Sequence, residues 1–197
     1  MLLFLLLLVT VIHGDTSKDS QWLLSIKTKL IDPQGVLDNW SSKVNICSWN
    51  GVKCAVSLNQ VVGLNLSNSG LSGSISSEFS NLVSLQILDL SLNFLTAEST
   101  IGNLSDLRVL GLGYCQLNGS IPVEIGDLMN LKSLNLQKNS LSGYIPQEIG
   151  NCKQLQLFSV ENNNLQGRIP ASIGKIEALE ILNLSNNTVW VDPGRAW

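Results

Sequence analysis

The segment LKSLNLQKNSLSGYIP, residues 131–146, contains the pattern on which most of the chain is built. Its apolar residues recur as Leu-x-x-Leu-x-Leu from Leu131 to Leu136, and Asn139 follows three positions after the last of them. Apolar and polar residues that alternate over so short a run are typical of a β-strand with one buried face. The pattern therefore predicts a short strand whose leucines point into a core.

The same pattern recurs along the chain with a nearly constant period. Its Leu-x-Leu part, or a close variant, begins at residues 64, 88, 110, 134, 158 and 182, in steps of 24, 22, 24, 24 and 24 residues. This is the leucine-rich-repeat signature, in which each coil buries its apolar side only against the neighbouring coil. The position of Asn139 is filled in successive repeats by Ser69, Asn93, Cys115, Asn139, Asn163 and Asn187. We expect the Asn side chains to close the turn after each strand, where an amide can bond backbone groups that water does not reach.

Two cysteines fall within the repeats. Cys115 takes the place of an Asn, a substitution that the signature accepts, and Cys152 occupies an inward apolar position. We interpret Cys115 as a buried thiol rather than a nucleophile. A bridge between the two residues is not expected, because their positions face different sides of the coil.

The first residues indicate export from the cell. Residues 2–12 form an apolar run, broken only by Thr10, that suits the core of a signal peptide and is shorter than the roughly 20 residues needed to span a bilayer. A positively charged start is missing, and a buried helix is the alternative interpretation. We predict a signal peptide over residues 1–14 and a secreted or cell-surface chain. No later stretch approaches about 18 apolar residues, so we expect no membrane span in this chain.

Residues 15–60 are predicted to form a cover for the first coil. An amphipathic helix starts near Ser17 and ends before Pro33. Cys47 and Cys54 have six residues between them, and in an oxidising compartment this pair predicts a structural disulfide rather than two free thiols. A zinc site fails because two sulfurs without a His or a further nearby Cys cannot complete a tetrahedral shell. The apolar underside of the cover is expected to come from Trp22, Trp40 and Trp49.

Two motifs together resemble a known family. The motif Trp40…Cys47-x-Trp49-x-Gly51-Val52-x-Cys54 and the repeat variant Leu-Ser-Gly-x-Ile-Pro at residues 141–146 are similar to those of plant leucine-rich-repeat receptor kinases and receptor-like proteins. The resemblance implies an α/β repeat fold: a right-handed solenoid with a concave parallel β-sheet, a smaller second sheet, and a helical, disulfide-bonded N-terminal cap. It also implies extracellular recognition of a peptide or protein ligand, often with a co-receptor.

The repeats are assigned to residues 61–188, as five full units and a partial sixth, and residues 189–197 to an irregular tail. The second unit is two residues shorter and lacks Gly-x-Ile-Pro, which weakens the case for a second-sheet strand there. The sequence shows neither a C-terminal cap motif nor a kinase, so we expect a truncated receptor. Without a cap, Leu182 and Leu184 are expected to stay exposed unless Trp190 and Trp197 cover them.

The charge and the histidine content of the chain exclude several classes of function. The net charge is −3, so the basic surface that binds nucleic acid is not expected. His13 is the single histidine and lies in the predicted signal peptide, which excludes His-dependent nucleophilic catalysis and His-ligated metals. We therefore predict a protein that is not an enzyme and needs no cofactor and no metal. Two alternatives remain open: a secreted inhibitor resembling the polygalacturonase-inhibiting proteins, and an inactive truncated fragment.

The outward positions beside the paired leucines are where a solenoid usually binds its partners. We predict a contact patch in the middle coils, although single exposed residues of this kind also occur on ordinary surfaces. The patch consists of Asp89, Leu92, Tyr114, Gln137, Lys138 and Glu161. Asn-x-Ser/Thr sequons predict N-glycosylation. They lie at Asn39, Asn65, Asn103, Asn118, Asn183 and Asn186.

Overall fold

The computed structural model describes residues 18–56, 60–97 and 104–192. The predicted signal peptide and the sequon at Asn103 lie outside the described residues. The described chain begins with helix α1 (Lys18–Lys29) and a two-residue strand, β1 (Leu30–Ile31). Leu23 and Ile26 are buried on one side of α1, so the amphipathic helix is confirmed.

The larger sheet in the described ranges has seven strands, in the order β13-β11-β9-β7-β5-β3-β2. Strands β2 and β3 pair antiparallel, and each later strand pairs parallel with the one before it. The strands are β2 (Val52–Cys54), β3 (Val61–Asn65), β5 (Ile87–Asp89), β7 (Val109–Gly111), β9 (Ser133–Asn135), β11 (Leu157–Ser159) and β13 (Ile181–Asn183). The register places equivalent repeat positions side by side, so the buried residues Leu64, Leu88 and Leu110 form one row.

A second layer of strands follows the Asn column in each coil. It consists of β4 (Ser72–Ile75), β6 (Phe94–Ala97), β8 (Asn118–Ser120), β10 (Ser140–Gly143), β12 (Asn164–Arg168) and β14 (Thr188–Trp190). These strands form two sheets in the described chain, ordered β1-β4-β6 and β14-β12-β10-β8. The Gln116 N–H donates to the Leu95 carbonyl at 3.0 Å and so connects β6 to the coil that carries β8.

Two sequence expectations are corrected in this layer. The second unit does form a second-sheet strand, β6, because four residues of β4 pair with it despite the missing Gly-x-Ile-Pro. Val189 and Trp190, assigned to an irregular tail, belong to β14 and pair in register with Gly167 and Arg168. In both places the backbone partner supplied by the preceding coil, rather than the local sequence, makes the chain extended.

The outer side of the solenoid is formed by short 3₁₀ helices, including Val123–Asp127 and Gln147–Asn151. They stack so closely that a Cβ on Gly126 would lie 2.6 Å from the Glu148 carbonyl oxygen. Glycine is therefore required at this contact, which sets how tightly the coils approach on this side. The core between the layers is filled by the repeated Leu and Ile side chains.

The N-terminal cap closes the first coil. Cys47 and Cys54 form the predicted disulfide. Trp40 and Trp49 are both buried, and their rings stack with centroids 5.5 Å apart. Trp22 does not join them: it is exposed, because the buried face of α1 is formed by Ser20, Leu23 and Ile26 and Trp22 lies off this face.

An ion pair fastens the cap to the first repeat. The Lys29 ammonium contacts the Glu78 carboxylate, and the Ser25 hydroxyl donates to the same oxygen at 3.4 Å. The hydrogen bond from Lys29 lowers the pKa of Glu78 from its ordinary value to about 2.

No further described coil stacks on the C-terminal side of the last described coil. Leu182 is 41% exposed, whereas its counterparts Leu88 and Leu134 are 0% exposed. The expectation for Leu182 is thus confirmed, while Leu184 is partly buried against the core. Trp190 is itself exposed and leaves Leu182 accessible.

Candidate ligand-binding face

The Asn column holds the concave face in shape. The Asn163 amide donates to the carbonyls of Leu136 and Val160 at 3.0 and 2.9 Å, and its Oδ1 accepts from the Leu141 N–H at 2.9 Å. Asn139, one coil earlier, and Asn93, three coils earlier, make equivalent bonds. Each amide thus joins two coils through backbone groups that are otherwise out of reach of water, as the sequence predicted.

Cys115 replaces the amide with a thiol. Its Sγ donates to the Leu90 carbonyl at 3.4 Å, and burial raises the pKa of this thiol above its ordinary value. Burial also raises the pKa of Cys152 to about 11. Both residues are free cysteines, so the expectation that they are not bridged is confirmed. Thiols with raised pKa values are poor nucleophiles at neutral pH.

The residue before each Asn-column position has an unusual backbone conformation. These six residues, which we call the third column, all have φ between 52° and 60°. They are Asn68, Leu92, Tyr114, Lys138, Asn162 and Asn186. A left-handed conformation costs about 1–2 kcal/mol for a residue with a Cβ, and it persists here because the backbone is bonded to the next coil. The Leu92 and Tyr114 N–H groups, for example, donate to Gly113 O and Gln137 O at 2.9 and 2.8 Å.

Three residues of the predicted patch are brought together by this column. Leu92, Tyr114 and Lys138 lie on successive coils, and Leu92 and Tyr114 are 49% and 41% exposed. The Lys138 ammonium lies 5.0 Å from the centroid of the Tyr114 ring, within the range of a cation–π contact. These three side chains form one continuous surface, with an apolar end at Leu92 and a cationic end at Lys138.

Asp89 and Gln137 border this surface, where two glycines make room for polar side chains. A Cβ on Gly111 would lie 2.6 Å from Asp89 Oδ1, and a Cβ on Gly113 would lie 3.2 Å from Gln137 Cγ. The Asp89 carboxylate also accepts from the Ser91 N–H at 3.0 Å. The glycines of this coil therefore allow Asp89 and Gln137 to lean toward the middle of the concave face.

Glu161 is held on the next coil by amides. Its two carboxylate oxygens accept from the Asn162 and Asn183 side chains, each at 2.9 Å. Within the described ranges it forms no salt bridge. Glu161 thus presents an uncompensated negative charge one coil beyond Lys138, and its position is fixed by neutral donors.

One outward column of the concave face was not predicted from the sequence. The residue before each Leu-x-Leu also faces outward, and Ile87 and Ile181 at this position are exposed, with Val109 and Leu157 half-buried. The signal was present, because the alternation that defines the strand extends one step further toward its start. These residues add an apolar edge to the concave face beside Asp89.

The sequons differ in what their amides do. Asn39 Nδ2 donates to Ser48 O and Asn50 Oδ1 at 3.0 and 3.3 Å, inside the cap. Asn183 Nδ2 bonds Glu161, and Asn186 Nδ2 donates to Asn162 Oδ1 at 2.9 Å. Asn65 and Asn118 are exposed, and within the described residues their Nδ2 groups donate no hydrogen bond.

The described residues show neither a metal-binding cluster nor a membrane-spanning helix. Among residues 18–56, 60–97 and 104–192, no group of three His, Cys, Asp or Glu side chains is placed to hold a metal ion. No helix within these ranges has the length and apolar character required to cross a membrane.

A capped solenoid of parallel strands with an Asn column defines the class of protein, and comparisons identify the family. A model of the leucine-rich repeat region matches residues 69–192, and a model of the leucine-rich repeat N-terminal domain matches residues 16–55. The chain therefore belongs to the leucine-rich-repeat family.

Similar solved structures are plant receptor ectodomains. The BIR2 ectodomain from Arabidopsis thaliana is 33% identical with a TM-score of 0.79, and the match covers 90% of this chain and 96% of that chain. The ectodomain of GASSHO1/SCHENGEN3 from the same plant, solved in complex with CASPARIAN STRIP INTEGRITY FACTOR 2, is 38% identical with a TM-score of 0.80. That match covers 86% of this chain and 21% of that chain. The predicted right-handed solenoid with a concave parallel sheet and a disulfide-bonded helical cap is thereby confirmed.

Sequence relatives come from the same group of proteins. A putative leucine-rich repeat receptor-like serine/threonine-protein kinase of Arabidopsis thaliana is 37% identical, over 63% of this chain and 16% of the relative. Receptor-like protein 50 of the same plant is 38% identical, over 55% of this chain and 12% of the relative. The chain thus spans less than a fifth of these relatives, and its cap and repeats are of the plant receptor ectodomain type.

Proposed function

We propose that this chain is a non-catalytic extracellular recognition module that binds a peptide or protein ligand on its concave face. The observation that carries the proposal is the surface formed by Leu92, Tyr114 and Lys138. Backbone hydrogen bonds between coils fix the main chain at these residues, so the backbone loses little conformational entropy when a ligand binds. An exposed tyrosine is a common anchor in protein interfaces, and Tyr114 lies on the coil between those of Leu92 and Lys138.

The charges around this surface define the ligand's chemistry. An apolar side chain of the ligand packs against Leu92 and Tyr114. A basic group pairs with Asp89 or Glu161, because the Glu161 carboxylate accepts hydrogen bonds from neutral amides and forms no salt bridge within the described residues. A carboxylate or another acceptor is directed to Lys138. This arrangement favours an extended segment that lies across coils two to five and alternates in polarity.

The neighbours support an assembly in which a co-receptor takes part. One similar structure is the complex of BIR3 with SERK2, and another is HAESA with the peptide hormone IDA and the co-receptor SERK1. By analogy, this chain is secreted or held at the cell surface and presents its bound ligand to a second ectodomain. The similar complexes support a co-receptor as a partner of this chain, and the exposed side chains of the concave face support ligand binding there.

Binding to a library of synthetic plant secreted peptides tests the proposal. The chain is produced by secretion, and peptide affinities are measured by biolayer interferometry. Leu92→Ala with Tyr114→Ala is expected to weaken every bound peptide by about tenfold or more, because both groups lie at the centre of the contact. Val123→Ala, an equally exposed aliphatic residue on the outer side, is the matched control and leaves binding unchanged. Peptides whose affinity is the same in the double variant and the control would refute the assignment.

A further inference from the structure

A small cavity lies in the core between the larger sheet and the second layer of strands. Its volume is about 80 Å³, and most of its wall is apolar and buried. Inner side chains of the larger sheet, Leu110, Leu112 and Leu136, form one wall. The exposed side chains of Asn118 and Ser120 on β8 mark the side on which it opens to solvent. The larger sheet therefore separates this cavity from the concave face.

The cavity lies where the second unit lacks one isoleucine of the repeat. The Gly-x-Ile segments of the first and third units supply Ile75 and Ile121, which are buried and both line the cavity. The second unit is two residues shorter and has Glu98-Ser99-Thr100 in place of this segment. Among the described residues, no side chain of the second unit lines the cavity. The space between Ile75 and Ile121 is thus the place that an isoleucine fills in other coils, as Ile145 does.

The size of the cavity limits what it can hold. A water molecule needs about 10–15 Å³ of such volume, so this cavity accommodates roughly five or six non-hydrogen atoms. An apolar cavity of about 150 Å³ lined by Leu, Ile and Phe is known to stay dry and to bind benzene or xenon. A smaller cavity with a similar lining therefore suits a smaller apolar group, of the size of one aliphatic side chain.

An empty apolar space of this kind favours an apolar guest. The side chains of its wall lack contacts on one side, and such a lining does not hold water by hydrogen bonds. A guest that fills the space restores those contacts and displaces no firmly bonded water. The described lining includes no charged side chain, so an ionised guest would lose its hydration without gaining a partner.

We propose that this cavity binds a small uncharged molecule with a branched apolar body of about five carbon atoms and one hydroxyl group. The apolar body takes the place of the missing isoleucine side chain and contacts Ile75 and Ile121. The hydroxyl group stays at the opening, where it bonds the Asn118 or Ser120 side chain. This site is independent of the proposed ligand site, because the larger sheet lies between them.

Methyl NMR with 2-methylbutan-1-ol tests the proposal, because this alcohol carries the sec-butyl group of an isoleucine side chain. The chain is produced in the bacterial periplasm, where the cap disulfide forms and Asn118 carries no glycan, with isotope-labelled isoleucine δ1 methyl groups. Burial of about five carbon atoms gives an expected Kd on the order of 1 mM. Saturable shifts are expected at Ile75, Ile121 and Ile125, which line the cavity. Ile173 is buried elsewhere in the core and is expected not to shift.

Leu110→Phe fills the cavity with a side chain that the repeat already accepts. Leu110, Leu134 and Phe158 lie side by side in one buried row of the larger sheet. We expect Leu110→Phe to weaken binding of the alcohol by at least about tenfold. Leu134→Phe is the matched control, because Leu134 belongs to the same row and does not line the cavity. It is expected to retain binding and to melt at a lower temperature than Leu110→Phe, since its added ring meets a filled core.

A charged analogue tests the chemistry of the guest. In 2-methylbutanoate a carboxylate replaces the hydroxymethyl group on the same carbon skeleton, and it is expected to bind at least about tenfold more weakly. Equal binding of the two compounds would refute the assignment to an uncharged molecule.

Three further results would overturn the proposal. The first is no saturable shift in the wild-type chain at up to about ten times the expected Kd. The second is an equal shift at Ile173 and at the three cavity isoleucines, and the third is undiminished binding in folded Leu110→Phe. The first two are measured on the wild-type chain and therefore decide the matter even if the variant does not fold. Shifts at the cavity isoleucines caused by an isoleucine-containing peptide, and not by the alcohol, would assign the cavity to a side chain of a protein partner instead.

Discussion

Replacing Asn163 by Ala tests whether the Asn column carries a large share of the stability of the solenoid. The Asn163 side chain is nearly buried and makes three hydrogen bonds of 3.0 Å or shorter to backbone groups on two coils, its own and the preceding one. Each such bond contributes about 1 kcal/mol net, and a buried group left without a partner costs about 1–3 kcal/mol. We therefore expect Asn163→Ala to lower the free energy of unfolding by about 3–4 kcal/mol.

The matched control is the next residue. Asn164 is exposed, and within the described chain its side chain makes no hydrogen bond, so Asn164→Ala should change stability by less than about 0.5 kcal/mol. Asn163→Cys should fall between the two, because the thiol of Cys115 donates to a backbone carbonyl from the same repeat position. The comparison separates loss of the amide from a general effect of removing an asparagine.

Urea denaturation followed by far-ultraviolet circular dichroism measures these differences. Amide hydrogen exchange then locates them: protection should fall first in the coils around Leu136, Leu141 and Val160, since neighbouring coils stabilise one another in a one-dimensional array. A loss below about 1 kcal/mol in Asn163→Ala, or a loss equal to that of Asn164→Ala, would refute the reasoning.

Two further predictions concern the cap and the glycans. Because the pKa of Glu78 is about 2 in the folded chain and near 4.5 otherwise, its ion pair with Lys29 stabilises the fold above about pH 4.5, and that stability is lost as the pH falls toward 2. Glu78→Gln should therefore lose less stability than wild type over this range, by about 1 kcal/mol because the pair is partly exposed. Melting curves recorded from pH 6 to 2 measure the difference. Identical pH profiles for the two proteins would contradict this prediction. Peptide mapping by mass spectrometry should find glycans on Asn65 and Asn118, and none on Asn39, because its amide holds two segments of the cap together. A glycosylated Asn39 in correctly folded protein would disprove that role.

The coils and their register were predictable because each coil contacts only its neighbours, and the cap disulfide followed from the short Cys47–Cys54 spacing in an exported chain. In such an array the period of the sequence is also the period of the structure, and Leu64, Leu88 and Leu110 form one buried row for that reason. Predictions were wrong where a residue depended on a partner outside its own segment or on the orientation of the cap helix. The second unit has no Gly-x-Ile-Pro, yet β6 forms against β4, and Trp22 faces solvent although it is large and apolar.

The candidate site was predicted only in part. The outward position of Leu92, Tyr114 and Lys138 follows from the repeat, whereas the contact of Lys138 with the Tyr114 ring does not. The left-handed backbone at all three residues could not be predicted from the sequence either, because Leu, Tyr and Lys give no local signal for positive φ. The exposed Ile87 was overlooked although alternation predicts it.

By itself the sequence determined the solenoid, the capped first coil and the side of each strand that faces outward. These properties depend on side-chain periodicity, which is local. Only the tertiary structure decided that Tyr144 rests on Gly167, that Arg168 pairs with Asp192, and that the third column adopts its strained conformation. Such contacts join residues about one repeat apart, and their distances depend on how closely two coils pack rather than on the order of residues within one.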